Sequence, residues 1–405
     1  MKIAQIAPLA ERVPPKLYGG TERIVGCLTE ELVRLGHDVT LFASGDSITT
    51  SKLVPCCEVA LRLNAAVRDF LPHNMVMLEE VRRRAHQFDV LHFHIDLLHF
   101  PLIRDFAERT VTTLHTRLDE PDLQPFYRAF SDIPLVSISN DQRRPIPVAN
   151  WRGTVYHGLD PKLLPFKEKP GGNYLAFLGR ISPEKGPDRA IEIATRVGRQ
   201  LKIAAKIDAK DRAYWEAVVE PLIACHPNVE FIGEIDERQK AEFLGDAAAL
   251  LFPIDWPEPF GLVMIEAMAC GTPVLAFRYG SAPEVIEDGV SGVLVDSVAE
   301  AVTELERVLL LDRRKVRAAF ERRFTVERMT RGYMDIYHAL PGLHGRDRME
   351  EPARKADRTP RSRVNGGKPV AKPPIWAAQT GGGICPPVET PNGVAPGHSG
   401  PANRR

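Results

Sequence analysis

Residues 173–196 read NYLAFLGRISPEKGPDRAIEIATR, and this stretch decides the fold. Tyr174 to Leu178 form an apolar run as short as a buried strand. Gly179, Pro183 and Gly186 punctuate a turn, and beyond Pro187 the apolar residues Ala190, Ile191, Ile193 and Ala194 take helical spacing. The unit is strand, turn, helix. Working outward, the same grammar continues through LKIAAKI, AYWEAVVEPLIACHP, NVEFIGEI, AALLFPI and TPVLAFR. On the amino-terminal side it runs through KIAQIAP, TERIVGCLTEELVRLG, DVTLFAS, DVLHFH, TVTTLH and PLVSIS. Strands that alternate with helices build parallel sheets covered on both faces. Between the two halves lies DPKLLPFKEKPGG (160–172), rich in Pro, Lys and Gly without apolar periodicity, as an interdomain linker is. Two doubly wound α/β domains are therefore expected, over 1–165 and 166–325. A chain of 405 residues with 44% hydrophobic side chains is long enough to give each its own core.

Bulk charge narrows the partners. Fifty-three basic side chains balance fifty-three acidic ones, so the whole molecule lacks the field that draws a protein to a nucleic acid. Any anion must be held by local groups. The six cysteines, Cys27, Cys56, Cys57, Cys225, Cys270 and Cys385, form neither a C-x-x-C pair nor a cluster with histidine at metal-ligand spacing. A cytoplasmic protein with no disulfide framework and no metal site is expected. No stretch approaches the roughly 20 apolar residues of a membrane span, and MKIAQIAPLA reads as a first strand. From 345 to 405 the chain is dense in Pro, Gly, Arg and Lys and poor in aromatic and β-branched residues, the composition of a disordered tail. A passive extension is the favoured reading, and a weak peripheral contact of this basic arm with a membrane stays open.

Ligands in doubly wound sheets bind beyond the carboxyl ends of the strands, which directs attention to two motifs. In FLGRISPEKG, Arg180 directly follows a strand and Lys185 lies in the next turn, a fork and a point charge that suit a diphosphate. In EPFGLVMIE, Pro257 and Pro259 keep Glu258 out of a helix that starts near Leu262. Phe260-Gly261 lets a backbone approach a ligand closely, and the helix start offers free N–H groups to phosphate. Glu266 lies about one turn into that helix, where its carboxylate can accept from a diol such as a ribose. The sequence has no D-x-D triplet to carry a divalent ion, so no metal cofactor is expected.

GRISPEKG, EPFGLVMIE and CGTPV resemble the donor domain of family-4 (group 1) retaining glycosyltransferases of the GT-B fold, two tandem Rossmann-like domains facing a deep cleft. The resemblance covers nearly the whole chain up to the tail. It implies that Arg180 and Lys185 bind a donor pyrophosphate, Glu258 holds the transferred sugar and Glu266 the ribose. It further implies that the amides of Phe260, Gly261 and Leu262 line sugar and phosphate, and that Ile232 and Gly233 of FIGEI meet the nucleotide base through main chain. Lys206 stands where the family commonly has a glycine-rich turn, a departure that leaves it a candidate contact to the donor's phosphate or base. FTVERMTRGYMDIYHAL (324–340) corresponds to the helix, expected over 326–342, that crosses back to the first domain. In VYHGLD, His157 stands where the family usually has Asn.

In the first domain, Gly19 and Gly20 of PPKLYGGTERIV precede a helix beginning at Thr21 or Glu22, as in the family's glycine-rich loop over the donor diphosphate. The pattern is not G-x-G-x-x-G, so a dinucleotide fingerprint is absent. His94 and His115 fall at strand ends facing the cleft. The family pattern favours His115 as a contact to the donor sugar or the reacting hydroxyl, with His94 the weaker candidate. The expected activity is metal-independent transfer, with retention, from a UDP-, GDP- or ADP-sugar to an acceptor hydroxyl. A silent nucleotide-sugar-binding scaffold and a GT-B epimerase are the alternatives, and neither acceptor nor base is encoded in a recognisable motif.

Overall fold

The apolar runs become the strands of two parallel sheets. The structure is a computed structural model and describes residues 1–17 and 19–344; the expected tail lies outside the described residues. The first sheet comprises β1 (Lys2–Ile6), β2 (Asp38–Ser44), β3 (Lys52–Cys57), β4 (Val90–Phe93), β5 (Thr110–Thr113), β6 (Leu135–Ser137) and β7 (Trp151–Thr154), in the order β3-β2-β1-β4-β5-β6-β7. The second comprises β8 (Tyr174–Arg180), β9 (Gln200–Lys206), β10 (Val229–Gly233), β11 (Ala249–Phe252), β12 (Val274–Phe277) and β13 (Gly292–Val295), in the order β10-β9-β8-β11-β12-β13. Every pairing is parallel. Central strands are apolar on both faces because helices cover both: Ile3, Ala4 and Ile6 of β1 and Leu175 and Ala176 of β8 are fully buried. Strand order reverses between β1 and β4 and between β8 and β11. At each reversal the flanking connections run to opposite faces and leave a crevice past the strand ends.

The last long helix, Val326–His338, is shorter than the expected 326–342, because Ala339 closes it and Pro341 opens a separate turn. It packs on the first sheet although it follows the second. Tyr337 Oη lies 2.6 Å from His92 Nδ1, and Tyr333 Oη accepts from Thr113 Oγ1 at 3.0 Å. The two chain crossings are joined side by side, Leu159 N–H donating to Phe324 O at 2.9 Å and Val326 N–H to Leu159 O at 3.0 Å. A second tie comes from Glu284, on the turn of helix Ala282–Val285. Its carboxylate accepts from the backbone N–H groups of Asn140 and Asp141 at 2.8 and 2.6 Å and from Tyr156 Oη at 2.9 Å.

Candidate active site

The carboxyl ends of β1, β5, β8, β9 and β11 face one cleft of about 770 Å³. Arg180 ends β8, and Lys185 lies in the short 3₁₀ turn Pro183–Lys185 that Gly186 closes. Neither is a bare cation. The Arg180 guanidinium bonds Glu184 directly, with Asp211 at 3.3 Å and Asp208 at 3.9 Å. Lys185 Nζ bonds Glu258 Oε2 directly and sits 4.7 Å from the centre of the Trp256 ring. Trp256 Nε1 donates to the same Oε2 at 2.9 Å. Glu258 is thus clamped by an indole and an ammonium, and a ligand anion at Lys185 would compete with a carboxylate already on the protein.

Helix Leu262–Ala269 starts where the sequence reading placed it. Gly261 caps it at φ 77°, a left-handed conformation in which a side chain would also meet Met264 Cε at 2.7 Å, so the tight entry requires glycine. Gly261, Leu262 and Val263, at the start of that helix where first-turn N–H groups lack intrahelical partners, line the cleft. Glu266 is buried at 4% exposure. Lys240 Nζ reaches its Oε1 at 2.8 Å, and Arg23 of the first domain bonds the same oxygen. Burial alone would raise this carboxyl, but Lys240 and Arg23 outweigh it and hold the group below the ordinary carboxylate range. Arg23 also pairs with Glu237 at 2.5 Å.

His115 lines the cleft two residues past β5, its ring stacked on His157 at 5.2 Å between centres, while His157 meets Phe260 edge-on at 4.9 Å. Burial holds His115 down to about 3 and His157 well below the ordinary imidazole range, so both rings are neutral. His157 Nδ1 is buried without a hydrogen-bond partner in the protein.

The structure gathers Gly19, Gly20, His115, Arg180, Lys185, Lys206, Glu258, Phe260, Gly261, Leu262 and Glu266 around the cleft. His94 does not line it; at 2% exposure it lies behind His115. Ile232 and Gly233 do not line it either. Register shifts in β10 between Phe231 and Gly233; Ile232 is exposed, and Glu234 and Ile235 line the wall. The first helix begins at Gly20 rather than at Thr21 or Glu22. Gly19 there is extended (φ 169°), so the glycine pair supplies space rather than a left-handed turn. A Cβ on Gly19 would meet Pro15 at 2.7 Å, and one on Gly20 would meet Leu262 Cδ1 of the other domain at 3.1 Å.

Sequence reading alone missed Glu22, Arg23, Arg62, Lys240 and Trp256, all of which line the cleft. Glu22, in the first turn of helix Gly20–Arg34, is buried, and burial lifts its carboxyl to about 6. The only available signal was position: Glu22 and Arg23 directly follow the glycine pair, and Trp256 sits two residues before Glu258. Among the described residues no group of three or more His, Cys, Asp or Glu side chains converges as a metal site, and no helix is long and apolar enough to cross a membrane.

Two family models match, "Glycosyltransferase Family 4" over residues 18–144 and "Glycosyl transferases group 1" over residues 163–324. The chain is 24% identical to an uncharacterized glycosyltransferase of Methanocaldococcus jannaschii, over 75% of this chain and 89% of that protein. It is 36% identical to the D-inositol 3-phosphate glycosyltransferase of Mycolicibacterium smegmatis, but over only 30% of this chain and 29% of that enzyme. Among solved structures, a glycosyltransferase involved in avilamycin A biosynthesis superposes with a TM-score of 0.65 at 24% identity, covering 85% of this chain and 98% of that one. Anabaena HepE in complex with UDP-glucose superposes at 0.63 and 18% identity, covering 84% of this chain and all of that one. Both likenesses are likenesses of fold.

Proposed function

Because the chain belongs to the group 1, family 4 glycosyltransferases, we propose that it is a retaining, metal-independent enzyme of the cytoplasm that moves a sugar from a nucleotide-diphosphate sugar to an acceptor hydroxyl. The observation that carries this reading is the convergence of Arg180, Lys185 and the N-terminus of helix Leu262–Ala269 beside Glu258 and Glu266 on one wall of the cleft. Two cations and a helix start supply the charge that a departing nucleoside diphosphate needs. That a fold neighbour was solved with UDP-glucose supports a nucleotide sugar as the donor class.

In this scheme Glu266 accepts from the ribose and Glu258 from hydroxyls of the transferred sugar. The acceptor hydroxyl enters on the face from which the diphosphate leaves: its oxygen bonds the anomeric carbon as the bond from that carbon to the phosphate oxygen breaks. Its proton passes to that phosphate oxygen. The protein contributes orientation and electrostatic stabilisation as oxocarbenium character develops, with no protein nucleophile.

The test is nucleotide release from a panel of UDP-, GDP- and ADP-sugars, with and without EDTA, beside Glu258→Ala and Arg180→Ala. Release from one donor that persists in EDTA, disappears in both variants and yields the retained anomer is the expected result. An inverted anomer would overturn the mechanism. Binding without turnover in any acceptor mixture would favour a silent nucleotide-sugar scaffold.

A further inference from the structure

Behind His115 runs an unbroken chain of polar contacts that the transfer scheme does not use. His115 Nε2 lies 3.0 Å from His94 Nδ1, and His94 Nε2 lies 2.8 Å from Gln5 Oε1. Gln5 Nε2 donates to Tyr337 Oη at 3.1 Å, and Tyr337 Oη lies 2.6 Å from His92 Nδ1. Gln5, His92, His94 and Tyr337 are all buried, at 0–2% exposure. Such groups are not placed singly inside a sheet, because a buried polar atom left unpaired keeps the full cost of its lost hydration. Here each member satisfies the next, from the cleft to the crossing helix.

The chain has a direction. A neutral imidazole carries one N–H donor and one acceptor nitrogen, and an amide oxygen only accepts. With Gln5 Oε1 facing His94, the proton of His94 must be on Nε2, which leaves its Nδ1 an acceptor. His115 must then donate from Nε2, and its Nδ1 is the acceptor. At the other end, Tyr337 Oη takes the amide hydrogen of Gln5 and gives its own to His92 Nδ1.

We infer that His94, Gln5 and Tyr337 are positioning residues that hold His115 as its Nε2–H tautomer, so that the ring presents an acceptor nitrogen, Nδ1, to the cleft. The consequence for chemistry rests on the transferase reading above. An acceptor nitrogen receives a hydrogen bond from a sugar or acceptor hydroxyl and offers no proton to a phosphate oxygen. His115 thereby orients a hydroxyl and leaves protonation of the departing phosphate to the acceptor. Burial keeps the His94 and His115 rings neutral, the state in which a tautomer is defined. Tyr337, on the crossing helix, sets the polarity of a residue in the cleft.

Nitrogen-15 NMR of the imidazoles in the full chain tests this without reference to activity. His115 is expected to show a protonated Nε2 and an unprotonated Nδ1. Tyr337→Phe, which keeps the ring and removes the hydroxyl, is expected to mix the two tautomers. Nδ1–H as the major native form, or a Tyr337→Phe spectrum identical to the native one, would overturn the inference. In turnover with whichever donor the panel identifies, His94→Asn and Tyr337→Phe should lower kcat roughly tenfold with donor KM little changed. A loss confined to KM would also count against it. Absence of turnover with every donor would refute the transferase reading, and the spectra would still decide the tautomer.

Discussion

Arg23, in the first turns of the first domain's helix Gly20–Arg34, bonds directly to Glu266, on the donor-side helix of the second domain. Both recorded cations, Arg23 and Lys240, fall on Oε1 of that carboxylate, which leaves Oε2 to accept a hydroxyl. Contact between the domains and the wall of the cleft therefore meet at one side chain, and a ligand that draws on Glu266 draws on the domain junction as well.

Removing the carboxylate should cost stability as well as binding. Glu266→Ala leaves Arg23 and Lys240 with Glu237 as their one remaining common partner, so the loss falls below the roughly 3–5 kcal/mol of a buried charge left wholly unpaired, at about 1–3 kcal/mol. Denaturant unfolding should show a loss of that order. Arg23→Met should be milder in stability, because no uncompensated cation remains, yet should weaken nucleotide binding about tenfold by freeing Glu266 to reorient. Calorimetric titration of the nucleotide into both variants is the check, and equal affinity in Arg23→Met and the native protein would remove Arg23 from ribose recognition.

The indole clamp on Glu258 makes a separate forecast. Trp256→Phe keeps an aromatic face beneath Lys185 but removes the Nε1–H that reaches Glu258 Oε2 at 2.9 Å. Hydrogen bonds to charged groups contribute about 1.5–3 kcal/mol, so kcat/KM for the donor should fall roughly ten- to a hundredfold. Steady-state kinetics decide it. A drop confined to nucleotide affinity, with the sugar-dependent part of kcat/KM unchanged, would place Trp256 away from the transferred sugar.

What was legible in the sequence was local. Central strands such as β1, β4 and β8 announce themselves because they are mostly apolar, Arg180 because it ends a strand, and Glu258 because two prolines hold it just before a helix start. Edge strands were harder: β3 carries Pro55 and is mostly half-exposed, β7 is WRGT, and β13 is a four-residue GVLV beside a turn. None has a run that stands out from loop. The individual pairings had no sequence signal, since Arg23 and Glu266, or Gln5 and Tyr337, are joined only by the fold, although the resemblance did carry the helix of Tyr337 back to the first domain. At the end of β10, Glu234 and Ile235 rather than Ile232 and Gly233 line the cleft, next to a register shift between Phe231 and Gly233 that the sequence does not announce.

Stability should decline in mild acid. Burial depresses His92, His94 and His157 well below the ordinary range and His115 to about 3. An unfolded chain begins to protonate these rings near pH 6.5, whereas the folded chain does not, so the unfolded state binds more protons as pH falls. The stability that neutral burial confers is complete above about pH 6.5 and is lost below it, by up to about 1.4 kcal/mol per pH unit for each ring. Thermal unfolding from pH 8 to pH 5 should show Tm falling steadily under pH 6.5. A Tm that holds level across that span would mean that the rings titrate in the folded protein as they do in water.

Glu22 acts with the opposite sign. Its carboxyl is raised to about 6, with burial the leading cause, so between the unfolded value near 4.5 and the folded value near 6 the folded state holds the extra proton. Ionised above pH 6, the buried carboxylate destabilises the fold by about 2 kcal/mol, the energy of a shift of roughly one and a half pKa units. Glu22→Gln keeps the shape and removes the charge, so it should raise stability at pH 8 by about that amount and leave it nearly unchanged at pH 4.5. The same variant should steepen the acid loss produced by the histidines, because the compensating proton uptake is gone. Denaturant unfolding at the two pH values measures both effects. A Glu22→Gln protein no more stable than the native one at pH 8 would show that the ionised carboxylate is fully compensated within the cleft.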